Sequence, residues 1–541
     1  MARLTRRSLL KMAGGAIVLP RVALAEGDAR PTITVAVQAL STSNTLDPVA
    51  EQSNVGSRIL NNYVELLIGR NLQSELEPFP QLATSWKRVD DKTLDVTLRQ
   101  GVKFHNGDEM TAEDIAFTFS AAHMFGNSAP NGGTIPMDTA RPVQHGKELP
   151  TQVPAVARRL FPSLNTVTPV DKYTVRLVTA SPDITLEGRI SAMGSQIINR
   201  RWFEEAPSWL DYARAPVGTG PYKVRTYTPD VELVFDAHDD YWGGRPPIKT
   251  IRFVQVPELV QRVNGLRAGQ YQFVCDITPD QIKTIEADPR LQVAGGIVPN
   301  IRLSTFDKYD SAMTDPRVRQ AMIYAIDRDL IVRELWAGRT QVPQGLQFPF
   351  YADMFIKEWK APAFDPQKSK DLLKEANYKG DSISYRLLND YYTNQTANAQ
   401  VLVQMWHEVG LNVVIEMKEN WSQIFSPEGK RGVHDWSNTA QFNDPVSSLV
   451  AQHGPNGQQQ QTGEWKNDEM NQLCDVLVNS TDRVKRRAAF ARMLEICERD
   501  DPAYTVLHQN ATFTGKLKSI EWKPAPDFPM DFRATNWGGH V

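Results

Sequence analysis

Most of the residue spacings that support catalysis are missing from this 541-residue chain. There is no G-x-S-x-G turn to expose a serine nucleophile. His407-Glu408-Val409-Gly410 stops short of the second histidine that a metalloprotease helix needs, and no C-x-x-C or calcium-loop pattern occurs. The nine histidines are scattered, with no pair one helical turn apart. Gly218-Thr219-Gly220-Pro221 is not a phosphate loop, because Pro221 removes an amide donor and no G-K-[ST] follows.

The chain is instead rich in material for holding a ligand. Its 12 tryptophans and 15 tyrosines offer large apolar faces with polar tips. Most of these rings belong in cores, but two stand apart. Trp421 follows Glu419-Asn420 just past a predicted strand, where a strand end meets a cleft. Trp436 lies in Asp435-Trp-Ser-Asn-Thr-Ala-Gln-Phe-Asn-Asp-Pro445, a run dense in hydrogen-bonding side chains that also reads as a polar loop. Within it Gln441, Asn443 and Asp444 are candidate ligand contacts.

The elements that position these residues are readable. Thr32–Val37, Thr93–Leu98 and Tyr173–Val178 alternate and are β-branched, as strands do. Glu232–Phe235, Thr250–Val254 and Asn412–Met417 are further strand candidates. Thr111-Ala-Glu-Asp114 reads as a helix N-cap with acids in the first turn. Asp315-Pro316 and Asp365-Pro366 open two more helices, with proline at the first helical position. Thr396–Val409, closed by Gly410, and Asp482–Arg499 complete the set. Strands and helices alternate, so the fold class is α/β. Gly454-Pro-Asn-Gly-Gln-Gln-Gln-Gln461 is a flexible surface loop on composition.

The N-terminus carries an address. Arg6-Arg7 precede a short apolar stretch, and Ala23-Leu24-Ala25 is a signal-peptidase pattern. Adjacent arginines ahead of a modest apolar core predict twin-arginine export, with residues 1–25 removed and a soluble product in the periplasm. Glu26 rather than cysteine follows the cut, so no lipid anchor forms there. Removing Arg3, Arg6, Arg7, Lys11 and Arg21 takes the net charge from −3 to −8. That balance argues against nucleic acid as a partner. Three cysteines, Cys275, Cys474 and Cys497, leave at least one unpaired in a monomer. Cys474 and Cys497 sit unevenly about the turn near Thr481-Asp482, which disfavours a bridge.

Several motifs, in order, resemble one family, the extracytoplasmic solute-binding proteins of ABC importers that include the oligopeptide- and dipeptide-binding proteins. They are Thr45-Leu-Asp-Pro48, Pro80-Gln-Leu-Ala-Thr-Ser-Trp86, Leu98-Arg-Gln-Gly-Val-Lys-Phe-His-Asn-Gly107 and Thr111-Ala-Glu-Asp-Ile-Ala-Phe117. Gly218-Thr-Gly-Pro-Tyr222, Tyr241-Trp242 with Pro246, and Asp315-Pro-Arg-Val-Arg-Gln-Ala321 through Ala325-Ile-Asp-Arg328 continue the series. The resemblance implies a two-lobed periplasmic binding protein fold with a hinge and an additional small subdomain. Lobe I would take residues 31–70, 190–295 and 505–541, the subdomain 71–189 and lobe II 296–504. It further implies a monomer that closes over a small-molecule ligand and docks on an ABC permease, with no cofactor and no catalysis. Asn44 and Thr45, at the opening motif, are ligand-contact candidates. Leu98–Phe117 reads as scaffold, with His105 in a structural hydrogen bond.

Peptide binders of this family hold the peptide ammonium with an aspartate. Aligned on Asn443-Asp444-Pro445, that position is Gln441; aligned on Asp435, it is Asp444. A carboxylate in a closed cleft makes a charge-assisted bond worth about 1.5–3 kcal/mol, whereas glutamine leaves the ammonium charge unneutralised. On the frequency of peptide binders in the family a peptide is the expected ligand, with an oligosaccharide or opine-type ligand as the alternative if Gln441 is the equivalent. A reading of another class is an exported enzyme that uses a cofactor loaded before export.

Overall fold

The computed structural model describes residues 28–71, 76–126 and 143–541. The predicted leader at 1–25 lies outside them. A single ten-stranded mixed sheet runs through the molecule. Its order is Val413–Lys418, Ile383–Leu388, Val433–Thr439, Leu291–Phe306, Tyr504–Leu517, Phe273–Val274, Thr32–Val37, Thr250–Gln255, Glu232–Ala237 and Tyr222–Thr228. The two central strands are far longer than the rest, at 16 residues (Leu291–Phe306) and 14 residues (Tyr504–Leu517). They pair antiparallel from Leu291↔Leu517 to Thr305↔Tyr504, with register shifts between Ile297 and Leu303. A strand of ordinary length spans about 17–20 Å, so these two are what carries one sheet across both halves.

On one side, Thr32–Val37 pairs in parallel with Thr250–Gln255 and Phe273–Val274. On the other, Ile383–Leu388 pairs in parallel with Val413–Lys418 and Val433–Thr439. Parallel strands require helical crossovers, which explains the alternation seen in the sequence. A separate four-stranded antiparallel sheet, Ala83–Arg88, Thr93–Leu98, Thr174–Thr179 and Leu164–Asp171, has its own core around Val96, Phe104, Ile115, Phe117 and Leu177. The other buried clusters flank the large sheet.

The helix starts follow their caps. The Thr111 N–H donates to Asp114 Oδ2 at 3.0 Å, closing a capping box. Asp315 Oδ1 accepts from Arg317 N at 2.9 Å, and Asp365 Oδ1 from Lys368 N at 2.9 Å. Asp482–Arg499 is α-helical from Arg483 to Glu495 and ends in a π turn, Ile496–Asp500. That turn delivers Glu498 to the core, where it accepts from Leu346 N (2.6 Å), Trp359 Nε1 (2.9 Å) and the Tyr504 hydroxyl (3.0 Å).

The glutamine tract departs from its reading as a flexible loop. Gln458–Gln461 is a helical turn, and Gln459 is fully buried. Its Nε2 donates to Phe306 O and Ala503 O, both at 2.8 Å, stitching the neighbouring ends of the two long strands. Composition predicts a loop because it carries no information about carbonyls awaiting a donor. Gly218-Thr-Gly-Pro221 is a close backbone approach, since a Cβ on Gly218 would lie 2.0 Å from Tyr63 O. His105 Nε2 donates to Gly220 O at 3.0 Å within the same contact, a structural role. The three thiols are buried and unbridged; Cys275 packs on Met530 and Cys497 on Met470. No helix among the described residues is long and apolar enough to cross a membrane.

Candidate functional site

Loops at the carboxyl ends of the parallel strands face one another across a cleft, where α/β sheets place ligands. From one half come Gln38–Asn44, Pro257–Arg262 and Asp276–Thr278. From the other come Leu388–Asn394 and Met417–Trp421. Together they bound an outer chamber of about 850 Å³. Beside it, toward the Gln152–Leu160 helix, lies a second and smaller chamber of about 360 Å³, here the inner chamber, bounded additionally by Trp436–Thr439, Gln441, Gln152 and Arg159. Thr42, Tyr391, Tyr392 and Trp421 border both chambers. The halves touch here: Asn54 N donates to the Tyr391 hydroxyl at 3.3 Å, and Arg70 Nη1 to Gln441 O at 2.8 Å.

An aromatic wall separates the chambers. Trp421 is the first residue of a short helix, Trp421–Phe425, capped by Asn420. Its ring meets Trp436 edge-on at 4.8 Å and Tyr391 at 5.2 Å, and Phe425 meets Trp436 at 5.2 Å. Such contacts fix ring orientation. Trp436 sits in the Val433–Thr439 strand opposite Leu303, and its indole N–H has no partner among the described residues. Beneath the wall, Asp435 is buried against Arg302 and accepts from Gln395 Nε2 at 2.7 Å. The Arg302 guanidinium carbon lies 3.5 Å from the Tyr392 ring centroid. Burial pushes the Asp435 carboxyl up to about 6, which Arg302 offsets only in part.

The rim of the first half is held by one carboxylate. Glu51, 2 % exposed, accepts from Thr42 N (2.9 Å), Ser43 N (3.1 Å), Ser43 Oγ (2.8 Å) and Ser53 N (3.0 Å), and from the hydroxyls of Ser41 and Ser53. These donors hold the Ser41–Ser43 segment against the cleft. Thr45, read as a ligand contact, belongs to this scaffold: it is buried, its hydroxyl 3.0 Å from Ser43 Oγ. Asn44 adopts φ +56° and borders the outer chamber.

The remaining candidates separate cleanly. Gln441 lines the inner chamber, and its Oε1 accepts from Met193 N at 3.3 Å. Asn443 is exposed, away from both chambers. Asp444, the alternative ammonium anchor, instead caps the turn Pro445–Ser447 and is bound by fully buried Arg486, with contacts of 3.0 and 2.9 Å. A carboxylate neutralised in this way has no charge to offer a ligand.

Arg159 and Arg189 on the inner wall were not among the sequence candidates. Arg159 Nη1 donates to Gln458 Oε1 at 3.4 Å, its only polar partner among the described residues. With no acid to compensate, burial pushes its pKa below the usual arginine range. Arg189 is paired with Asp183 at 2.8 Å and donates to Leu160 O at 2.7 Å, yet its Nη2 is unpartnered. A lone arginine on a helix carries no sequence signal for this role. Tyr391-Tyr392 could have been found, since they follow the Ile383–Leu388 strand as Trp421 follows Val413–Lys418.

Residues 77–460 match the family model "Bacterial extracellular solute-binding proteins, family 5 Middle". Heme-binding protein A of Haemophilus influenzae is 25% identical over 479 residues, covering 83% of this chain and 82% of that protein. The dipeptide-binding protein of Escherichia coli K12 is 26% identical over 394 residues, covering 70% of this chain and 69% of its own. Among solved structures, the dipeptide binding protein from Pseudoalteromonas sp. SM9913 in complex with Met-Leu superposes with a TM-score of 0.81. It is 19% identical, with 94% of this chain and 100% of that chain covered, and has the same two-lobed fold.

Proposed function

The chain belongs to the bacterial extracellular solute-binding proteins of family 5, and from that premise we propose that it captures a peptide-like solute between its lobes and delivers it to an ABC permease. The observation that carries this reading is the cleft, which both halves build at the ends of their parallel strands and line with Tyr391, Tyr392, Trp421 and Trp436. Closure would bury the solute, and its extent is set by the difference in solute affinity between the open and closed forms. The hinge lies where Leu291–Phe306 crosses from the first lobe to the second beside Tyr504–Leu517. The protein acts as a binding component rather than an enzyme, as a monomer after twin-arginine export and cleavage near Ala25. Residues 31–70, 190–295 and 505–541 form the first lobe, 71–189 its subdomain and 296–504 the second lobe.

A second reading, an opine or oligosaccharide as the solute, is favoured by one observation: neutral Gln441 lines the chamber while Asp444 is occupied by Arg486. Thermal unfolding of the mature protein against dipeptides, opines and oligosaccharides tests both. A ligand at a hundred times its dissociation constant adds about 2.7 kcal/mol and raises Tm visibly. A shift with dipeptides supports the first reading, one confined to opines or sugars the second, and no shift with any compound counts against both.

A further inference from the structure

The polarity of the cleft is uneven. Among its described lining residues, the inner chamber has two arginines and no carboxylate. The outer chamber has Asp230, Glu258, Asp390 and Glu419 against Arg262 and Lys418; its fifth acid, Asp276, is already paired with Arg58 at 2.8 Å. Buried side chains bordering the inner chamber carry hydrogen-bond donors with no partner among the described residues. Arg189, 4 % exposed, has a free Nη2; Gln452, 7 % exposed, has a free Nε2; and the Trp436 indole N–H is unpartnered. Asn438 Oδ1 is the one unpartnered side-chain acceptor among the described lining residues. Buried donors are almost always satisfied in folded proteins, so orphans just beneath a chamber wall are groups for a ligand's acceptors to satisfy once the side chains turn toward it.

Resting on the solute-capture reading above, we propose that the inner chamber is a carboxylate subsite. Arg159 and Arg189 hold an anionic end of the solute there, and Gln452 and the Trp436 N–H complete its hydrogen bonds. Any amino group the solute carries is directed to the acidic outer chamber rather than to Gln441. Planar guanidinium groups suit a carboxylate because they offer parallel N–H donors. Arg159 is the better electrostatic anchor, since Arg189 already shares its charge with Asp183. The two arginines also border a neighbouring pocket of about 230 Å³ whose one carboxylate, Asp475, is exposed and forms no ion pair with either.

The test is thermal unfolding and calorimetric titration of the mature protein with matched compounds. They are Met-Leu, N-acetyl-Met-Leu and Met-Leu amide; N-(1-carboxyethyl) amino acids and their amides; and gluconate with glucose. Acids shift Tm while their neutral or amide counterparts do not, and N-acetylation, which removes the charge facing the outer chamber, lowers affinity less than amidation does. Arg159→Gln weakens the binding acid about 10- to 100-fold, the range expected for a lost charge-assisted bond, and Arg159→Lys restores part of it. Circular dichroism melts without ligand check that each variant is folded. Should Arg159→Gln not fold, the acid-to-amide ratio on the unaltered protein decides. Amides that bind as tightly as acids, or a folded Arg159→Gln with unchanged affinity, overturn the subsite while leaving solute capture standing. A panel in which nothing shifts the unaltered protein counts against capture in this cleft, and the subsite falls with it.

Discussion

Two residues three positions apart, Gln441 and Asp444, have opposite fates. Asp444 is the acid and looks like the chemically interesting one, but Arg486 is 0 % exposed and needs a counter-charge. Removing one partner of a buried pair leaves an uncompensated charge and costs about 3–5 kcal/mol. Asp444→Asn should therefore lower urea-unfolding stability by about 3 kcal/mol and change solute affinity less than threefold. If affinity falls tenfold at unchanged stability, Asp444 is a ligand contact after all. Gln441 faces the chamber and brings no charge, which leaves the local polarity to Arg159 and Arg189.

At the scale of elements, the cleft depends on short connections that the core grips firmly. Glu51 gathers the Ser41–Ser43 rim, and the Asn420 cap aims Trp421. The Gln458–Gln461 turn is the least expected of these elements. Its Gln459 supplies the donor for carbonyls of both long strands, and its Gln458 is the partner of Arg159. Gln459→Ala removes a donor from both carbonyls; Ala503 O keeps the Phe306 N–H at 3.0 Å, so the cost falls on Phe306 O, at about 1–3 kcal/mol for a buried orphan. A loss of about 2 kcal/mol in chemical denaturation is expected. A change below 0.5 kcal/mol would make the tract the passive loop that its composition suggests. Elements with strong local signals, such as the capped helices at Thr111, Asp315 and Asp365, were legible because their determinants lie within four residues. The glutamine turn was not, because its partners lie 44 and 153 residues away.

At the scale of the whole molecule, buried histidines set an acid limit. His453 and His508 are fully buried, and burial depresses both to about 3. An unfolded histidine titrates near 6.5, so the unfolded chain binds more protons below that pH and stability falls with acidification. At pH 5 the two together withdraw up to about 4 kcal/mol. Asp435 works the other way, because a carboxyl raised to about 6 favours the folded state once protonated. Its contribution is present at low pH and lost as pH rises through 6, returning about 1.3 kcal/mol on going from pH 7 to 5. Urea denaturation should thus show a net loss of about 2–3 kcal/mol from pH 7 to pH 5. A flat profile would mean these histidines are not held neutral.

The sequence by itself determined the fold class, the capped helices, four of the ten strands of the large sheet, and the family. Each rests on local periodicity, a cap or an ordered series of motifs, all properties of neighbouring residues. Only the tertiary structure decided which polar side chains face the cleft. Asp444 and Arg486 are 42 residues apart, and Arg159 and Gln458 299. A carboxylate's availability depends on whether some distant cation has already neutralised it, and no spacing along the chain records that.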